Sequence, residues 1–321
     1  MSPKRIIRIF QAAIVGDAFG VPYEFKERGT FTVETAMIGG GFWEQAVGTW
    51  SDDTSFTLAL IDNLTQDGGY ADLMDKFVAY MENGAYTPNG QLFDIGNTCA
   101  KAIRTYVIEQ AEPTTCGDPS EYANGNGALM RLAPLAIALY DEPSFKQRAK
   151  TFRAYTQMTH RHLRAALGSI IYLETLWQLL HGKTLSRALM AANWSFEALP
   201  TNEKVEVPVF QRLFAADFKE LPVSAIKSSG YVVDTLEAAF WVASNAPDFN
   251  TGIMTAASLG EDTDTIATIA ASLMAASGRD VISADWWQTI VNRALAESCL
   301  MPFAEKFGDA TEVDESDGVK K

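Results

Sequence analysis

Cysteine is scarce in this chain of 321 residues: Cys99, Cys116 and Cys299 are scattered, odd in number and free of any CxxC spacing. That excludes a disulfide framework and argues against a zinc site. Basic charge is also short, with 26 Lys and Arg against 40 Asp and Glu, a net charge of −14. Sequence-independent binding to nucleic acid needs a basic face and is not expected. Solubility is the plain reading of the acidity, and a basic partner is the other. No uncharged apolar stretch reaches the ~20 residues that span a bilayer. Met1-Ser2-Pro3-Lys4-Arg5 leads into no long signal-type apolar region, because the run breaks at Gly16-Asp17. The expected location is the cytoplasm, with no membrane partner. GxSxG, Walker and dinucleotide-type glycine fingerprints are missing, as is a local Cys/His signature for thiol catalysis. Period-2 strand patterns are almost absent, and no repeat of 20–50 residues recurs.

Helical periodicity fills the space that strands leave. With 47% hydrophobic residues, seven Trp and 18 Phe, a sizeable core is expected. Apolar residues recur at intervals of three and four over 5–19, 52–66, 71–82, 95–109, 128–140, 144–157, 162–181, 184–192, 230–244, 251–258, 263–277 and 285–297. The segment 195–228 is less regular, and the glycine-rich 25–50 reads as a long loop. The expectation is an all-α, compact, single-domain protein over 1–305, with an acidic, flexible tail over 306–321.

Two acidic clusters carry the chemistry. Ser51-Asp52-Asp53-Thr54 and Asp262-Thr263-Asp264-Thr265 each open a helical run. Acids do stabilise helix N-termini, and Ser51 suits an N-cap. That role accounts for one Asp better than for a pair. Residues two apart share a side only in extended chain, so Asp262 and Asp264 converge only if the helix has not yet begun there. The helices that follow are small and apolar, as in Ile266-Ala267-Thr268-Ile269-Ala270-Ala271. Such helices pack closely in a core, which aims their acidic ends into a cleft. Four carboxylates interleaved with hydroxyls would then need cations, and hard oxygen donors select Mg²⁺, Mn²⁺ or Ca²⁺.

Other residues admit two readings. Glu24, after Gly16-Asp17-Ala18-Phe19-Gly20, is either a further carboxylate near the ions or a solvated surface acid. Asp94 either caps a helix or, with Asn97, presents polar atoms to a sugar. Asn124-Gly125-Asn126-Gly127 is either an ordinary turn or an anion-binding loop before a helix. His160 and His162, two apart, cannot both face one site from one helix. Tyr231 is either core or a platform for a flat ring.

Gly16-Asp17-Ala18-Phe19-Gly20, Ser51-Asp52-Asp53-Thr54, Gly125-Asn126-Gly127-Ala128-Leu129-Met130-Arg131, Thr159-His160 and Gly260-Glu261-Asp262-Thr263-Asp264-Thr265 occur in that order. Together they resemble the ADP-ribosylglycohydrolase family over roughly residues 5–300. The resemblance implies an all-α fold with a dinuclear cleft for two Mg²⁺ or Mn²⁺. It implies Ser51, Asp52, Asp53, Asp262, Asp264 and Thr265 as metal ligands, and Glu24 beside the metals. It places Asp94 and Asn97 near the scissile ribose, Gly125, Asn126 and Gly127 at a diphosphate, His160 at the ligand and Tyr231 toward the adenosine. Glu24 or Asp94 would be the general base. Many family members have glycine where this chain has Glu261, an acid expected to crowd the cleft or add charge to it. The implied activity is metal-dependent removal of ADP-ribose from protein side chains, arginine first, with serine-linked and acetyl-linked substrates open. The other reading is an immunity-type protein that blocks an ADP-ribosyltransferase.

Overall fold

The computed structural model describes residues 1–312. Helices dominate, and among the described residues extended pairing is limited to isolated bridges such as Gly40 with Gln45 and Gly125 with Tyr231. The helices run α1 Pro3–Gly20, α2 Asp52–Thr65, α3 Tyr70–Asn83, α4 Asn97–Glu109, α5 Ala133–Ala138, α6 Phe145–Gln157 and α7 Leu163–Leu180, then α8 Leu185–Ser195, α9 Val232–Asn245, α10 Phe249–Ser258, α11 Thr263–Ala276, α12 Ala284–Thr289 and α13 Arg293–Phe307. The irregular 195–228 holds short 3₁₀ segments, with Pro208 inside the longest. The all-α expectation holds.

The molecule is built around α11, every residue of which is buried. Helix α1 lies against it at a distance only glycine permits. A Cβ on Gly16 would sit 2.6 Å from the Ala267 carbonyl oxygen, and one on Gly20 would sit 2.4 Å from the Asp264 Cα. Together with the 3₁₀ turn that follows it, α1 (Pro3–Tyr23) is long and apolar enough to cross a membrane, yet 83% of its most apolar window is buried inside the protein. It is a core helix. The close contact brings the C-terminal end of α1 to the N-terminal end of α11, and Glu24 emerges at that junction.

Two helix expectations change. The run 128–140 divides into a 3₁₀ turn at Leu129–Arg131 and the short α5. Pro134, at the start of α5, has no N–H to continue a helix from the preceding turn. The run 285–297 breaks between α12 and α13, where Asn292 takes φ +48° and the Val291 N–H bonds the Gly48 carbonyl at 2.9 Å. That tertiary bond competes with the helical one. The expected tail boundary also moves, since α13 continues to Phe307 with Pro302 inside it. The Asp309 N–H then bonds the Met1 carbonyl at 2.8 Å. The rest of the tail expectation, from 313, lies outside the described residues.

Candidate active site

Helix α2 begins at a doubly capped N-terminus. The Ser51 hydroxyl accepts from the Asp53 N–H. The Asp17 carboxylate, reaching across from α1, accepts from the Ser51 N–H at 3.0 Å and the Thr54 N–H at 2.9 Å. Asp17 is fully buried, and these bonds fix where Asp52 and Asp53 point. At α11, Asp262 is the N-cap with non-helical φ −96° and ψ 69°. The backbone there is neither helical nor extended and Asp264 already lies in the first turn of α11, so the two carboxylates reach one cleft without the extended segment expected from their spacing. The two clusters meet directly: the Thr265 hydroxyl donates to Asp53 Oδ2 at 3.2 Å.

These helix starts share one open cleft of about 260 Å³. Glu24, Asp52, Asp53, Asp94, Asp262, Asp264 and Thr265 line it, together with Asn97, Gly125, Asn126, Gly127 and His160. One oxygen each from Glu24, Asp94 and Asp264 lies within 4.8 Å of the others. Two expected site residues stand outside the lining. Ser51 sits behind it as the helix cap, its Oγ 3.5 Å from Asp53 Oδ2. Tyr231 is the N-cap of α9, and its hydroxyl accepts from Arg164 at 3.1 Å. Asp94 is not a helix cap, because Gly96 holds that position for α4. Glu24 is buried, so its reading as a solvated surface acid fails.

The cleft is an electrostatic trap for cations. No Lys or Arg lines it. Burial first, then repulsion from Asp94 and Asp262, pushes Glu24 up to about 9. Burial and then Asp262 push Asp94 up to about 6. Asp52, Asp53 and Asp264 are held well above the usual carboxylate range by burial, followed by their acidic neighbours. Asp53 Oδ1 is buried without a hydrogen-bond partner. An orphaned carboxylate oxygen beside a threonine hydroxyl and several other carboxylates fits a hard divalent ion.

The Gly125–Gly127 loop closes the other side. The Asn126 side-chain NH₂ donates to Asp262 Oδ2 at 2.8 Å and to Thr235 Oγ1 at 2.9 Å, while its backbone N–H bonds Gly230 at 3.0 Å. Asn126 therefore orients Asp262, and both its amide hydrogens are used. His160 is buried beside this loop. Arg131 donates to Thr159 Oγ1 at 2.7 Å, and that oxygen lies 2.9 Å from His160 Nδ1. Burial, then Arg131, pushes the ring down to about 3 and keeps it neutral. His162, by contrast, caps α7 by accepting from the Arg164 N–H. One histidine faces the cleft and one does not, as their spacing requires.

Glu261 does not crowd the cleft. It is exposed and takes φ +62°, the left-handed backbone that favours glycine. Trp43 was not legible as a site residue. Its indole N–H donates to Glu24 Oε2 at 2.6 Å from within the long loop.

The profile of the ADP-ribosylglycohydrolase family matches residues 3–317. A curated relative, ADP-ribosylarginine hydrolase Tri1 of Pseudomonas putida (strain GB-1), is 32% identical over 310 residues, covering 95% of this chain and 78% of the relative. ADP-ribosyl-[dinitrogen reductase] glycohydrolase of Rhodospirillum rubrum is 28% identical over 289 residues, with 88% of each chain covered. A solved chain of an ADP-ribosylglycohydrolase-related protein complex superposes with a TM-score of 0.77 at 28% identity, covering 94% of this chain and 98% of that one. The chain belongs to the ADP-ribosylglycohydrolase family and is a glycohydrolase.

Proposed function

We propose that this enzyme removes ADP-ribose from modified arginine side chains with two Mg²⁺ or Mn²⁺ ions. The carrying observation is that the Asp52–Asp53 and Asp262–Thr265 clusters meet in one cleft, with the Thr265 hydroxyl on Asp53 Oδ2 and one oxygen each of Glu24 and Asp94 within 4.8 Å of one on Asp264. The relative named ADP-ribosylarginine hydrolase and the anionic cleft, which suits a cationic guanidinium acceptor, support arginine over serine.

Asp52, Asp53, Asp262, Asp264 and Thr265 would hold the ions, with Ser51 bracing Asp53 from behind. Bound there, hard divalent ions would offset part of the carboxylate charge, grip ribose hydroxyls and acidify a water. Glu24 is the general base. Trp43 anchors one of its oxygens, which leaves the other to take the proton of the attacking water. The water oxygen bonds the ribose anomeric carbon as the carbon–nitrogen bond to the guanidine breaks, and the departing nitrogen takes up the proton that Glu24 received. Positive charge grows on the ribose as that bond weakens. Asp94 borders the same region and orients the sugar with Asn97. The Gly125–Gly127 loop and the His160 ring face the diphosphate.

Hydrolysis assays test this reading. Wild-type protein should release ADP-ribose from an ADP-ribosylated arginine peptide only with Mg²⁺ or Mn²⁺, and chelator should stop it. Asp264→Ala should abolish release. Glu24→Gln should slow it by roughly 10²–10⁴-fold, the range for a lost general base. Unchanged turnover by Asp264→Ala would reject the assignment.

A further inference from the structure

The mouth of the acidic cleft carries an aromatic cluster in which only Trp43 has a part in the reaction, as the anchor of Glu24. Phe25 and Phe42 are 56% and 65% exposed. Their ring centroids are 5.0 Å apart at 82°. Trp43 meets Phe42 at 4.9 Å and 88° and reaches Phe93 at 5.9 Å. Phe25 also lines the cleft, while Trp43 bonds Glu24. The cluster therefore begins where the catalytic acids end.

Two features show that burial does not explain it. A cluster of exposed rings on a soluble surface usually marks a binding surface. Phe25 is moreover held at φ +62°, where a bulky side chain is strained. Its backbone is locked there by its N–H bond to the Glu261 carbonyl at 2.7 Å. The ring packs only on its neighbours in the cluster, Phe42 and Trp43, and remains 56% exposed. The locked backbone turns the ring to the cleft edge. The hairpin bearing Phe42 and Trp43 is fixed too: a Cβ on Gly41, at φ +75°, would lie 2.7 Å from the Pro22 Cα. The rings are thus held beside Glu24.

We infer that Phe25, Phe42 and Trp43 form the acceptor subsite, in which the planar guanidinium of the modified arginine lies against the Phe42 face with the other two rings bordering it. Aromatic faces attract cations, guanidinium above all, and the acidic cleft behind them adds attraction of the same sign. The subsite would thereby set preference for arginine over uncharged acceptors. This inference rests on the arginine reading above.

Phe42 is exposed and suits replacement without loss of folding. Phe42→Ala and Phe42→Leu should each lower kcat/KM on an ADP-ribosylated arginine peptide by about two- to fivefold, the size of one exposed cation–π contact. Phe42→Tyr should restore it. Inhibition by free ADP-ribose, which has no guanidinium, should be the same in all four proteins. Recovery by Phe42→Leu would overturn recognition by a ring face. An unchanged kcat/KM in Phe42→Ala, or weaker inhibition by ADP-ribose, would overturn the subsite while the arginine reading stands. If wild-type protein leaves the arginine peptide intact but cleaves a serine-linked one, both fall together.

Discussion

Asp17 shows how one buried carboxylate can matter without touching substrate. It satisfies the N–H groups of Ser51 and Thr54 from a neighbouring helix. Asp17→Ala leaves both donors buried and unpaired, so chemical denaturation should show a loss on the order of 1–3 kcal/mol. Glu261 supplies the opposite case. Its side chain is exposed and its φ is +62°, so Glu261→Gly should stabilise the fold by roughly 0.5 kcal/mol, the relief of left-handed strain less the entropy of glycine. Turnover should not change. At this scale the acidic ligands were readable because their residue types repeat at two helix starts. Asp17 was not, since nothing in Gly16-Asp17-Ala18 says which helix the carboxylate caps. Trp43 was hidden for the same reason: its partner is 19 positions away. Asn126 looked like a phosphate contact, and only the fold reveals that its amide is spent on Asp262 and Thr235.

Helices α1 and α11 set the position of the whole cleft. Their contact is closed by Gly16 against the backbone of Ala267. Gly16→Ala must push the helices apart, and the expected cost is about 1–3 kcal/mol in urea unfolding. Activity should fall further than stability alone requires, because the same shift moves Glu24 away from Asp264. Long periodic helices such as α7 were legible within a residue or two. The misreadings fell where a local pattern met a tertiary competitor, as at Val291, whose N–H bonds Gly48, or at Pro134 after the 3₁₀ turn.

Across the whole molecule, the cleft makes stability depend on protons and cations. Glu24 is raised to about 9 and Asp94 to about 6 in the folded protein, above unfolded values of about 4. Between those limits the folded state binds more protons than the unfolded one, so stability falls as pH rises. Without divalent ions the melting temperature should drop from pH 5 to pH 9, first as Asp94 ionises and then as Glu24 does. Saturating Mg²⁺ should flatten that slope, since a bound cation replaces the protons. A slope that chelator and Mg²⁺ leave equal would mean that the carboxylates do not bind ions.

Equilibrium dialysis of the full chain against Mn²⁺ addresses the ion site itself. The account predicts two Mn²⁺ per wild-type chain, displaced by Mg²⁺, and fewer than two for Asp264→Ala. A wild-type chain that retains no Mn²⁺ at millimolar concentration, yet still releases ADP-ribose, would contradict it.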